Sequence, residues 1–132
     1  MSVEYLHDDV CCRILVKAGT AITCEEVLGV LDRQAAEGAW SYEMLWDARE
    51  SLSVPTLDEV RRTVKHVGML TARHGPRGPV AIVTTRAGLL RMTDVYSDLG
   101  ELTALDARAF STIAEAEAWL EAHEGHAHEG HH

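Results

Sequence analysis

Alternating and helix-spaced apolar residues divide the chain into short strands and amphipathic helices. Around residues 10–18, Cys12, Ile14 and Val16 alternate with Arg13, Leu15 and Lys17, which predicts a strand with one well-buried face. Asp8 and Asp9 precede it and predict a hairpin turn. The predicted strands cover residues 3–7, 10–18, 42–47, 80–83 and about 105–110.

Three Thr-x-x-Glu sequences mark helix starts, at Thr23/Glu26, Thr56/Glu59 and Thr112/Glu115. In such a capping box the Thr hydroxyl accepts from the backbone of the third helical residue, and the Glu side chain accepts from the backbone of the cap. Apolar residues at helical spacing follow the first two boxes, and the third box begins the last helix of the chain. Gly38 is placed to end the first helix. The stripe of the second helix is Leu57, Val60, Val64, Val67 and Thr71, and a further helix carries Leu89, Met92, Thr93 and Tyr96.

The resulting element order is β-β-α-β-α-β-α-β-α. Strands separated by helices normally run parallel. We therefore predict an α/β fold with a mixed, mostly parallel sheet of about five strands and about four helices, and with the first strand as an antiparallel edge.

The length and the net charge of the chain limit the classes of protein to which it can belong. A chain of 132 residues suits one domain, which we predict over residues 1–122, followed by a flexible His-rich tail at 123–132. The net charge of −9 disfavours binding to nucleic acid, since phosphate affinity depends on clustered Lys and Arg. No apolar run approaches the roughly 20 residues of a membrane span.

Three cysteines and an acidic beginning of the chain point to a reducing compartment. Cys11 and Cys12 are neighbours on a predicted strand and are poorly placed for a disulfide. The N-terminal residues lack the basic and apolar layout of a secretory signal. We expect a cytoplasmic protein.

Polar residues follow the predicted parallel strands, where open α/β sheets bind ligands. Asp47, Thr56, Thr84 and Thr85 are expected at this rim, where helix N-termini favour an anion. The alternative is that these threonines only cap helices.

One basic area occurs in this acidic chain. It is centred on Arg61, Arg62 and Lys65, with His66, Arg73 and Arg77 nearby. It would suit an acidic protein partner or a second copy of the chain, or it is the solvated face of an amphipathic helix. Trp40 follows Gly38 in a predicted loop and is expected to be partly exposed, at an oligomer contact.

The tail HEGHAHEGHH is the one candidate metal site. Neutral imidazoles suit Ni²⁺, Cu²⁺ and Zn²⁺, so weak binding of these metals is expected there, and no other cofactor is expected. The five tail histidines are His123, His126, His128, His131 and His132.

Three segments together resemble small bacterial SpoIIAA-like proteins, which are related to STAS and Sec14 domains. They are ARAFSTIAEAEAWL (107–120), with Arg108, Phe110, Glu115, Ala116, Trp119 and Leu120; the helix around Arg91, Met92 and Tyr96; and LWDARE (45–50). The resemblance covers nearly all of residues 3–121.

The resemblance implies a regulatory binding module rather than an enzyme. Some STAS domains are switched by phosphorylation in an Asp-Ser motif after the Asp-ending strand. This chain has Ser53-Val54-Pro55-Thr56 there and lacks the Asp-Ser pair, with Thr56 nearest to the acceptor position. Sec14-like relatives hold lipids in an apolar pocket.

No Ser/His/Asp or Cys/His pattern supports catalysis. We therefore expect a non-catalytic module that recognises a protein partner or a small apolar or anionic ligand. Metal binding through the tail is the alternative.

Overall fold

The computed structural model describes residues 3–100 and 105–130, with only the backbone from residue 124 onward. Its elements follow the predicted order. They are β1 Val3–Asp8, β2 Arg13–Ala18, α1 Cys24–Ala36, β3 Glu43–Asp47, α2 Leu57–His74, β4 Val80–Val83, α3 Ala87–Leu99, β5 Ala107–Phe110 and α4 Ile113–Gly130.

The five strands form one sheet in the order β1-β2-β3-β4-β5. Strand β1 is antiparallel to β2, and every other neighbouring pair is parallel. In the centre of the sheet Met44 lies opposite Ile14 on one side and Val80 on the other. The predicted α/β class, with a mostly parallel sheet and an antiparallel edge strand, is confirmed.

The hairpin between β1 and β2 is longer than predicted. Strand β2 begins at Arg13 rather than residue 10, because the Asp8 carboxylate accepts from the backbone N–H groups of Val10 and Cys11 at 3.0 and 3.1 Å and holds them in a turn. Cys12 is exposed and has a left-handed φ of 52°. The inward alternation still holds from Ile14 onward, which is fully buried.

Capping chemistry positions the helices largely as expected. Thr23 and Thr56 each form a complete capping box. Thr112 accepts from Glu115 N at 3.2 Å, and the Glu115 carboxylate accepts from the hydroxyls of Ser111 and Thr112 and from the Thr112 backbone N–H. Leu57, predicted on the buried stripe of α2, is 42% exposed and is the first residue of that helix.

Helices cover both faces of the sheet. Helices α1, α2 and α3 pack on the face that carries Ile14, Met44 and Val80, while α4 packs on the opposite face through Ala116 and Leu120. The backbone of α4 is helical to Gly130, past residue 122. Within the described residues, none of the helices combines the length and apolar character that crossing a bilayer requires.

The predicted exposure of Trp40 is wrong. Its side chain is 3% exposed and packs between the sheet and α2, where Nε1 donates to Thr71 Oγ1 at 3.3 Å. The turn that ends α1, with Gly38 at a φ of 73°, sends the chain back toward the sheet, so Trp40 enters the core instead of facing solvent.

Candidate functional site

A cavity of about 320 Å³ lies between the sheet and helices α1, α2 and α3, and it is partly open to solvent. Its walls are mostly apolar. The strands contribute Met44, Trp46, Val80 and Ile82, and the helices contribute Val27, Leu31, Val60, Leu89 and Met92.

The pleat of two strands explains the cavity's floor. Side chains alternate between the faces of a sheet, so Met44 and Trp46 point toward the cavity while Leu45 packs against α4. Trp46 and Ile82 keep partial exposure on this face. The helices therefore cover the sheet incompletely above these two residues, and the cavity is the space left between the sheet and the helices.

The loop of residues 48–56 forms one end of the cavity. Three hydrogen bonds fasten it: Leu52 N donates to Thr20 O at 2.9 Å, Arg86 Nε donates to Ser51 O at 3.1 Å, and Ile22 N donates to Ser53 Oγ at 3.2 Å. Val54 lines the cavity and is 43% exposed. This end lies at the carboxyl edge of the parallel strands, and Val54 exposes part of it to solvent.

Arg77 lies at the opposite end, beside the first residues of β3 and β4. Its Nη1 donates to Gln34 Oε1 at 3.0 Å, its Nη2 donates to Met44 Sδ at 3.4 Å, and its guanidinium lies 4.5 Å from the centre of the Trp40 ring. Its buried Nε has no acceptor among the described residues. Burial lowers the pKa of Arg77 below its ordinary value. Arg77 thus leaves the basic area in which the sequence placed it and points inward.

The polar residues predicted at the rim do not converge on one site. Ser53 lines the cavity. Asp47 is bound by Arg49 through two contacts of 2.9 Å, and these hydrogen bonds lower the pKa of Asp47. Thr56 caps α2. Thr84 is buried and accepts from Arg86 N at 3.2 Å, and Thr85 is exposed.

The basic face on α2 is partly neutralised by carboxylates of the same chain. Arg61 lies 3.6 Å from Asp58, and Arg62 lies 2.9 Å from Glu25, which belongs to α1. Lys65 is exposed. The docking of an acidic partner on this face stays a prediction.

Of the tail histidines, only His123 has a described side chain. Its Nδ1 is 3.1 Å from Trp119 O, and its Nε2 contacts the Asp106 carboxylate. His126 and His128 have side chains outside the described set, and His131 and His132 lie outside the described residues. In the part of the chain that is described, no three His, Cys, Asp or Glu side chains are grouped as a metal site would require.

A network of ionisable side chains joins the hairpin to the end of α1, and the sequence did not reveal it. The ring of His7 lies 2.6 Å from Glu37 Oε1 and 2.6 Å from Asp9 Oδ1. Tyr5 and Tyr42 donate to Glu37 and Asp9, at 2.9 and 2.8 Å. The hydrogen bond to Glu37, followed by that to Asp9, raises the pKa of His7. The pKa of Glu37 is lowered to about 2, and the hydrogen bond with His7 is the largest cause.

Comparison with known proteins gives a fold but no family. No protein-family model matches the chain, and no curated protein matches it. Among solved structures it is similar to the NMR structure of the protein TM1081, with a TM-score of 0.53 and 15% sequence identity, over 89% of this chain and 86% of that one. The two chains share a fold. At this identity the likeness does not extend to a ligand or an activity.

Proposed function

We propose that this protein is a non-catalytic binding module that takes a small apolar molecule into the cavity between the sheet and α1–α3. The apolar wall of that cavity is the observation that carries the proposal. Well-formed apolar cavities with a few polar groups are where proteins most often hold small ligands.

The size of the cavity sets the size of the ligand. Its 320 Å³ is roughly twice the volume of an engineered apolar cavity (~150 Å³) that takes up benzene. A ring system or a medium-length hydrocarbon chain fits this space, and a whole phospholipid exceeds it.

The polar groups of the lining support binding rather than catalysis. The lining contains no histidine among the described residues, and its one carboxylate, Glu59, is committed to the capping box of α2. Cys24 is buried with its Sγ 4.0 Å from Glu59 O. A nucleophile needs a base within hydrogen-bond reach. The thiol of Cys24 contacts a backbone carbonyl and the Arg62 guanidinium, and neither group is a base.

The surface around the loop of residues 48–56 can couple ligand binding to the binding of a partner protein. Leu52, Val54 and Leu57 are 61%, 43% and 42% exposed, and Val54 belongs to both the cavity and this surface. A ligand that displaces Val54 changes the apolar surface that a partner protein meets. This coupling agrees with the resemblance to SpoIIAA-like and STAS-type regulatory modules, and with a cytoplasmic location.

Methionine methyl NMR tests the proposal with an uncharged probe, 1-octanol. Met44 and Met92 line the cavity, whereas Met69 is 40% exposed on α2 and is an internal control. We expect saturable shifts of the Met44 and Met92 methyl signals, with Met69 unchanged.

A cavity-filling substitution provides the matched control. Leu89→Trp places an indole in the cavity and should abolish the octanol-dependent shifts, whereas Leu99→Trp, at an exposed position on the same helix, should preserve them. Equal shifts at all three methionines, or unchanged binding in Leu89→Trp, would refute the proposal.

A further inference from the structure

The cavity has a charged end. Arg77 is the one cationic side chain among its described lining residues, and no described carboxylate is among the groups that act on its charge. Taking an unpaired charge out of water is unfavourable, and buried charges in proteins are normally paired. The guanidinium instead has neutral neighbours, the Gln34 amide, the Met44 thioether and the Trp40 ring.

The neighbouring phenol does not supply the missing negative charge. Tyr96 lines the same cavity, and burial raises the pKa of its hydroxyl above the ordinary value. Tyr96 is therefore neutral at physiological pH. Nε of Arg77 is left as a buried donor with no described acceptor, at a place where an acceptor brought by a ligand would gain a charge-assisted hydrogen bond.

We propose that Arg77 binds the carboxylate of a small amphiphile whose hydrocarbon part fills the rest of the cavity. This inference rests on the function proposed above and specifies its ligand class. The carboxylate lies at the amino end of β3 and β4, and the hydrocarbon runs along the strands toward Val54. Four residues of strand separate the two ends, a length of about 13 Å.

A carboxylate fits this end better than a phosphate. One guanidinium balances one negative charge, and a doubly charged phosphate would leave an excess charge among apolar side chains. Nη1 and Nη2 each already donate one hydrogen bond, to Gln34 and to Met44, and Nε is the guanidinium nitrogen that has no acceptor among the described residues. A single carboxylate oxygen satisfies it.

Competition between matched probes tests the ligand class. Octanoate, 1-octanol and octyl phosphate share one hydrocarbon chain and differ in the head group. For the wild type we expect octanoate to bind at least about tenfold more tightly than octanol, since hydrogen bonds to charged groups contribute that much. Binding is followed by the Met44 and Met92 methyl shifts.

Substitutions at Arg77 test whether its charge causes the preference for octanoate over octanol. Arg77→Met keeps an unbranched chain and should bring octanoate affinity down to that of octanol, while Arg77→Lys should retain part of the preference. Arg73→Met, at an exposed position near the end of α2, should leave it intact.

The outcomes separate the two proposals. Binding of octanol with no preference for octanoate in the wild type would overturn the carboxylate inference and keep the binding module. A preference that survives in Arg77→Met, or tighter binding of octyl phosphate than of octanoate, would also overturn the inference. Absence of binding by any probe would overturn the proposed function itself.

Discussion

Val54 rests on Gly88. A Cβ atom at Gly88 would come within 3.1 Å of Val54 Cγ2 and 3.3 Å of Cγ1, closer than unstrained carbon atoms approach. The absence of a side chain on the first turn of α3 therefore allows the loop of residues 48–56 to close over the end of the cavity.

Replacing Gly88 by Ala should loosen this closure. The new methyl group displaces Val54, which is partly exposed and able to move, so octanol should dissociate faster from the cavity. The helix also gains from the replacement of Gly by Ala, by up to about 1 kcal/mol. Line-shape analysis of the Met92 methyl signal measures the dissociation, and urea unfolding measures the stability.

Gly29→Ala is the matched control. Gly29 is exposed in the middle of α1, and a Cβ there would meet no atom within 4 Å. The variant should therefore gain the full ~1 kcal/mol in its free energy of unfolding. Its rate of octanol dissociation should not change. If Gly88→Ala gains as much stability as Gly29→Ala and releases octanol at the wild-type rate, Val54 does not close the cavity.

The His7 network should make stability depend on pH near neutrality. Because the hydrogen bonds to Glu37 and Asp9 raise the pKa of His7 in the folded state, protonated His7 stabilises the fold. This contribution is fully present below the unfolded pKa of about 6.5. It is lost as the pH rises through the higher folded value. Urea unfolding of the wild type and His7→Gln should therefore differ most at acidic pH and converge as the pH rises.

A second histidine variant separates this network from general charge effects. His74→Gln, at the exposed last residue of α2, should keep the wild-type pH dependence of unfolding. A His7→Gln variant whose difference from the wild type stays constant from pH 6 to about pH 9 would contradict the role of His7.

Thr56 should contribute to stability through its cap alone. Its hydroxyl accepts from Glu59 N at 3.2 Å, and Thr56 N donates to the Glu59 carboxylate at 2.9 Å. Thr56→Ala should lower the free energy of unfolding by about 1 kcal/mol and leave octanol affinity unchanged, because Thr56 does not line the cavity. Urea unfolding and the methyl titration check the two parts.

Thr23→Ala breaks the equivalent box on α1 and should have a similar effect on stability. Thr85→Ala, at an exposed position without a cap, should have little effect on either measurement. Loss of octanol binding in folded Thr56→Ala would show instead that the rim at Thr56 belongs to the binding site.

Local sequence patterns were sufficient for the elements of the fold. The boxes at Thr23 and Thr56 are contacts between residues three apart, so the residues that make them are visible in the sequence. The hairpin shows the limit: whether Cys12 continues a strand depends on the Asp8 carboxylate, which binds two backbone N–H groups and shortens β2. A strand that includes Cys12 and a turn that includes it both agree with the apolar alternation. The hydrogen bonds of the Asp8 carboxylate select the turn.

The cavity required information that no single segment contains. Met44, Ile82 and Leu89 belong to three separate elements, and each alone resembles a core residue. From the sequence alone Arg77 belongs with the basic area, since it follows Gly75 and Pro76 in a loop-like segment. Its inward position depends on Trp40 and Gln34, about forty residues earlier in the chain, and only the assembled fold brings them together.

The sheet also has a consequence for how the chain is made. From β2 onward, each strand pairs with the strand that precedes it in the sequence, so each of them finds its neighbour already synthesised. Chains emerge from the ribosome N-terminus first, and pairing between sequence neighbours closes short loops. The hairpin can therefore form while α1 is still being synthesised, and each later strand adds to an edge that already exists. The strand order thus allows the sheet to assemble in the order in which its strands are synthesised.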